Sequence, residues 1–155
     1  MKEIQLTQGK VALVDDEDFE YLNQWRWKFH HNYAIRTTKK LNICCDIAMH
    51  RIIMKNTDIN FITDHINGNT LDNRKCNLRL CNKQQNSWNR KIHKNNSSGY
   101  KGVIFIKSLN KYKSLIIYNK KLYYLGVFYD KKDAAKAYNK AAIKFFGEFA
   151  KLNEI

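Results

Sequence analysis

Two short apolar runs, Phe61-Ile62-Thr63 and Leu78-Arg79-Leu80-Cys81, flank a turn-rich loop, Asn67-Gly68-Asn69-Thr70, and lead into a polar stretch opening at Asn82. The pattern predicts strand, loop, strand and an Asn-capped helix. Upstream, Ile4-Gln5-Leu6 and Val11 to Val14 predict strands around a Gln8-Gly9 turn. Asp15-Asp16-Glu17-Asp18 place negative charge at the start of a helix reaching about Trp25. Trp27–His30 and Tyr33–Arg36 read as a hairpin turning at His31-Asn32, and Asn42–Cys45 as another strand. Asp46 is placed to cap a helix carrying Met49-His50-Arg51-Ile52-Ile53. Downstream, Lys91 to Gly99 is a polar linker. Lys101–Lys107, Lys111–Tyr118 and Lys121–Phe128 predict three strands, and Asp130 and Gly147 bracket a helix over 131–146. Ala134, Ala137, Tyr138, Ala141 and Phe145 form its apolar face. Strand alternation turns Ile104, Ile106, Leu115, Ile117, Leu122 and Tyr124, with Lys113, to the opposite face of that sheet. The fold class is α+β. An N-terminal α+β unit spans 1–90, a linker 91–99, and a three-stranded antiparallel sheet packed on one helix 100–155.

Charge separates the two halves. Residues 1–60 carry nine basic and eight acidic residues, whereas 61–155 carry nineteen and six. No acidic residue occurs between Asp72 and Asp130, and Tyr, Phe and Trp interleave the lysines. Such a block favours a polyanion, although a generic basic surface would read the same. With 44% hydrophobic residues and no proline the chain can bury a core. No apolar run approaches the roughly 20 residues that span a bilayer, so no membrane partner is expected. The opening MKEIQLTQGK lacks the apolar segment of a signal peptide, which points to a cytoplasmic protein of a host cell. Cys44, Cys45, Cys76 and Cys81 form no Cys-x-x-Cys pair, so reduced thiols are expected rather than a zinc site.

Asp64-His65, Asn73, Asn77-Leu78-Arg79 and Asn86, in this order and on these elements, resemble the HNH nuclease motif, or ββα-metal fold. The form is that of phage and intron-encoded members, in which Asn replaces the final His. The resemblance makes His65 the general base and Asp64 and Asn86 the ligands of one divalent cation, Mg²⁺ or Mn²⁺. It makes Asn77 the residue that orients the loop. The chemistry suits these residue types. Histidine is matched to proton transfer near neutral pH, and a hard cation held by carboxylate and amide oxygens stabilises a leaving oxygen. Asp64 and His65 are consecutive, so in a strand they point to opposite sides. A calcium loop starting at Asp64 fails, because its third and fifth positions would be Ile66 and Gly68. The region before the motif, with its Val-Asp-Asp stretch and His50-Arg51 pair, also resembles phage HNH proteins. His50 is read as structural or as a phosphate contact, not as a second base.

Tyr100-Lys101-Gly102-Val103, Leu125-Gly126-Val127-Phe128, Ala134-Ala135-Lys136-Ala137-Tyr138, Ala141-Ala142 and Leu152-Asn153 resemble the Apetala/ethylene-response-factor DNA-binding domain. Members lay the sheet in a DNA major groove and read bases with Arg and Trp. Here the corresponding face is apolar, and only Tyr124 stands where an aromatic reader is expected.

Together the resemblances imply a homing-type DNA endonuclease of phage or mobile-element character. Its partner is double-stranded DNA, with no small-molecule substrate. DNA contacts are assigned to Arg79, Arg90, Lys94, Lys101, Lys107, Lys111, Lys113 and Tyr124. One site per chain would nick as a monomer or cut both strands as a dimer. The alternative is a non-catalytic, sequence-specific DNA-binding regulator using the C-terminal domain. An RNA-binding protein lacks its usual exposed-aromatic motifs.

Overall fold

The computed structural model describes residues 1–40, 43–93 and 95–155. They are a mixture of small antiparallel sheets and short helices in two compact units, Met1–Asn86 and Ser87–Ile155.

The first unit opens with a hairpin of β1 (Lys2–Gln5) and β2 (Val11–Val14), followed by α1 (Asp16–Leu22). β3 (Lys28–His30), β4 (Tyr33–Lys40) and β5 (Ile43–Ala48) form an antiparallel sheet in that order. His31 and Asn32, both at positive φ, make the two-residue turn between β3 and β4. Then come α2 (Met49–Met54) and a hairpin of β6 (Ile62–His65) and β7 (Leu78–Cys81). Ile4, Ala12, Val14, Leu22, Trp27, Ala34, Met49, Ile53 and Leu78 fill one core, so nearly every element contributes to it.

Several local expectations give way here. α1 ends at Leu22, where Trp27 Nε1 donates to the Leu22 carbonyl at 2.9 Å and turns the chain back into the core. Asp15 stands at the N-cap position of α1 but makes no side-chain cap bond; its Oδ2 accepts from the Lys75 N–H at 2.7 Å. Asp46 lies inside β5, where Thr37 Oγ1 and Lys28 Nζ donate to it at 2.7 and 3.1 Å, and Ala48 precedes α2 instead. Asn42 lies outside the described residues.

In the second unit, β8 (Val103–Ile106), β9 (Lys111–Tyr118) and β10 (Lys121–Phe128) form a sheet with β9 central. A short helix, α3, spans Lys83–Trp88, and a long helix, α4 (Lys131–Phe146), covers one face of the sheet. Asp130 Oδ1 accepts from the Lys132 N–H at 2.5 Å, and Gly147 ends α4. Ile116, Tyr138, Ala142 and Phe146 are buried between sheet and helix, and the small alanines let the two approach closely. The stretch read as a linker is partly folded. Ser98 is buried and donates to the Val103 carbonyl at 2.8 Å, and Asn96 Nδ2 donates to the Tyr100 carbonyl at 3.0 Å. On the uncovered face Ile104, Ile117, Leu122 and Tyr124 are exposed, as the alternation predicts.

Gly102 is where this packing is tightest. Its φ is +74°, and a Cβ there would fall 2.0 Å from Tyr138 Cδ2 and 2.7 Å from the Leu115 carbonyl oxygen. Gly102→Ala is expected to destabilise this unit by roughly 2–6 kcal/mol, adding overpacking to an unfavourable backbone conformation. An unchanged thermal midpoint by circular dichroism would reject that.

Candidate active site

The β6–β7 register places Asp64 opposite Arg79 and His65 opposite Leu78. Cross-strand partners share a face, so Asp64 and Arg79 meet. Arg79 Nε and Nη2 both donate to Asp64 Oδ2, at 3.0 and 2.9 Å. The arginine assigned to DNA thus lies on the carboxylate assigned to metal, and both side chains are about nine-tenths buried.

His65 is 4% exposed, and its Nε2 lies 3.3 Å from Asn73 Oδ1. Asn73 is held from two directions. Its N–H donates to the Leu13 carbonyl at 2.8 Å, and its Nδ2 donates to the Leu71 carbonyl at 3.3 Å. With Nδ2 committed to Leu71, the amide presents its oxygen to the ring. Nε2 is then the protonated nitrogen, and Nδ1 is left as the acceptor. Burial lowers the His65 pKa against the opposing influence of Asn73, Asp64 and Asp72, so the ring is neutral at pH 7.

The loop between the strands is fastened by amides. Asn77 Oδ1 accepts from the Asn67 N–H at 2.9 Å, and Asn77 Nδ2 donates to the Asp72 carbonyl at 2.7 Å. Asp72 is clamped by Arg74 through both carboxylate oxygens, each at 2.7 Å, and Asn67 Nδ2 donates to it at 2.9 Å. The Arg74 guanidinium holds the Asp72 carboxyl below its usual range. Thr70 Oγ1 donates to the Asn32 carbonyl in the β3–β4 turn. The Leu13 N–H donates to the Leu71 carbonyl at 2.8 Å, which ties the loop to the core of the unit.

The α3 helix begins with a reciprocal cap. Asn82 Oδ1 accepts from the Gln85 N–H, and Gln85 Oε1 accepts from the Asn82 N–H, both at 2.9 Å. This sets the turn on which Asn86 is half-buried. The Asn86 N–H lies against the Cys81 thiol, which also feels the Asp64 charge. Burial pushes the Cys81 thiol up to about 11, so at neutral pH it is a protonated donor, not a soft metal ligand. Among the described residues no group of three His, Cys, Asp or Glu is placed to hold an ion. The oxygens of Asp64 and Asn86 are nevertheless hard donors of the kind Mg²⁺ accepts.

Three site features lie outside the sequence-level roles. Asn73 belongs to the motif but carried no task, and it is the partner of His65. His50 on α2 and Tyr33 at the start of β4 bring their rings to 5.1 and 6.0 Å from the His65 ring. No local signal marks these pairings, since the partners lie 15 and 32 residues from His65 along the chain.

The remaining DNA assignments fall in the second unit. Arg90 and Lys107 are exposed, Lys113 is half-exposed, and Lys111 Nζ lies 4.1 Å from the Tyr129 ring centre. Tyr124 is exposed on the uncovered sheet face. Lys94 lies outside the described residues. Lys101 requires correction: its Nζ donates to the Trp88 and Arg90 carbonyls at 2.5 and 3.0 Å, and burial lowers its pKa to about 8. It braces its own unit and is not presented to a phosphate.

Among the described residues no helix is long and apolar enough to cross a membrane. An uncharacterized HNH endonuclease of Acanthamoeba polyphaga mimivirus is 42% identical over 92 residues, covering 59% of this chain and 46% of the relative. Protein 3.8 of Escherichia phage T7 is 39% identical over 56 residues, 36% of this chain and 46% of the relative. The chain thus spans about half the length of the curated relatives it matches. No solved structure matches it. The sequence model of the HNH endonuclease family matches residues 48–88, the segment that holds His50, Asp64, His65, Asn73, Asn77, Arg79 and Asn86. The chain therefore carries an HNH endonuclease domain over that segment.

Proposed function

We propose that the chain is a metal-dependent endonuclease that hydrolyses DNA phosphodiesters at a recognised site. The observation that carries this reading is the His65–Asn73 contact beside Asp64, within the matched segment. Asn73 keeps one ring nitrogen protonated, so the other accepts a proton from the attacking water. Asn77 holds the loop on which Asn73 stands. Asp64 and Asn86 would hold Mg²⁺ or Mn²⁺, which when bound neutralises charge on the leaving oxygen. Hydrolysis in this sense leaves 3′-hydroxyl and 5′-phosphate ends, one strand per site.

The second unit, by its Apetala-like sequence, is proposed to grip the duplex through Arg90, Lys107, Lys111, Lys113 and Tyr124. The lysines would act on phosphates, which position a protein without reading sequence.

Purified chain incubated with supercoiled plasmid is the test. Nicked or linear DNA is expected with Mg²⁺ or Mn²⁺ and none with EDTA. Plasmid binding should weaken with salt by a log–log slope of about −0.9 per phosphate neutralised. The Arg79–Asp64 pair favours a second reading, in which the carboxylate is structural and the protein is a DNA-binding regulator. Steep salt-dependent binding with intact plasmid under every metal condition would establish that reading and overturn the first.

A further inference from the structure

We propose that Tyr33 and His50 are positioning residues for His65: the two rings fix the plane of its imidazole, so that the nitrogen not bonded to Asn73 is held in one place. The proposal rests on the reading of His65 as the proton acceptor.

Three rings from three separate elements meet here. His50 stands 5.1 Å from His65 at an interplanar angle of 84°, edge against face. Tyr33 lies 5.3 Å from His50 and 6.0 Å from His65, at 56° and 45°. Each ring therefore touches the other two. The hydrogen bond to Asn73 does not by itself set the imidazole. At 3.3 Å it is long, and it constrains one ring atom while the ring can still tilt about it. Edge-to-face contacts restrain that tilt, because the ring quadrupole favours particular angles.

The choice of side chain points the same way. His50 is buried at the edge of a core otherwise filled by Met49, Ile53 and Leu78. An aliphatic residue would fill the volume without burying two ring nitrogens, a cost that packing alone does not explain. Burial, helped by His65 and Arg51, holds the His50 pKa down to about 3. Its ring is therefore neutral beside His65 and cannot repel it. His50 itself is anchored by α2, whose neighbours Met49 and Ile53 are in the core.

The test uses the full chain with His50→Ala, His50→Leu, His50→Phe and Tyr33→Leu. Long-range proton–nitrogen spectra of the imidazoles report His65 directly, without reference to cleavage. Wild type should show one His65 tautomer, protonated at Nε2. His50→Ala and His50→Leu should show averaged or broadened His65 signals, and His50→Phe should restore the single form. In plasmid cleavage, Ala and Leu should lower kcat about tenfold or more with KM unchanged, since small misplacements of a reacting group are costly. Phe should recover the rate to within about threefold by the same argument, and Tyr33→Leu should fall between. Leu keeps the volume, so it provides a folded comparison if Ala unfolds. Wild-type His65 signals and kcat in the folded Leu variant would overturn the proposal, as would Phe failing to restore them. If wild type cleaves nothing, the proposed function falls while the spectra still decide whether the rings position His65.

Discussion

His65→Ala is expected to lower the single-turnover rate of plasmid cleavage by about 10²–10⁴-fold, the usual worth of a general base. DNA affinity at fixed salt should barely change, because the imidazole is 4% exposed and its Nε2 is engaged with Asn73. The separation of the two effects is what identifies a base. A residue that binds DNA loses affinity and rate together, whereas a base acts on the water alone. The substitution leaves Asn73 anchored to Leu13 and Leu71, so the loop should keep its shape. Gel-shift titration and quench-flow on the same preparation measure the two quantities. Wild-type cleavage by the purified variant would remove His65 from the mechanism. Equal losses in affinity and rate would make it a binding residue.

The first unit is expected to lose stability as pH falls from about 6.5 toward 4.5, before its carboxylates titrate in bulk. His50 and His65 are both buried with lowered pKa values, His50 to about 3. A lowered folded-state pKa means that the unfolded chain binds more protons through this window. Unfolding free energy then rises with pH and falls with acid. The loss for His50 alone is on the order of a few kcal/mol across the window, a large part of a typical domain's stability. Trp25 and Trp27 report on this unit and Trp88 on the other. Urea midpoints from Trp fluorescence at pH 7 and 4.5, with Trp88→Phe to remove the third signal, should drop in wild type. The drop should be smaller in His50→Phe, which has no charge to gain. A midpoint independent of pH, or the same drop in both proteins, would show that burial of His50 carries no such cost.

Much of the local structure is legible in short-range chemistry. Asp130 and Gly147 bracket the long helix, and Asn82 with Gln85 starts the short one. His31-Asn32 and Asn119-Lys120 take the positive φ values that tight hairpins need. Alternation alone places Ile104, Ile117, Leu122 and Tyr124 on one sheet face, because successive strand residues must point opposite ways. Such signals act over a few residues, within reach of one side chain and its neighbouring backbone, so they hold before any tertiary contact forms. The order Asp64-His65, Asn77 and Asn86 around two apolar runs is legible for the same reason, as spacing on local elements.

Pairing between distant groups belongs to the tertiary structure. Asp46 has the chemistry of a cap but lies in β5, because Thr37 on the adjacent β4 and Lys28 on β3 draw it into the sheet. Lys101 has the charge of a phosphate contact, yet two backbone carbonyls nearby take its ammonium. Arg79 reaches Asp64 only once the twelve residues between β6 and β7 close in the register that sets them opposite. Asn73 meets His65, and His50 and Tyr33 meet it in turn, only when β2, β4 and α2 gather around that loop. The sequence by itself determined which side chains carry charge, proton or amide, and on which elements they stand. Which of them face one another was decided by packing, since a side chain's partner depends on residues far along the chain that only the folded core brings within hydrogen-bond reach.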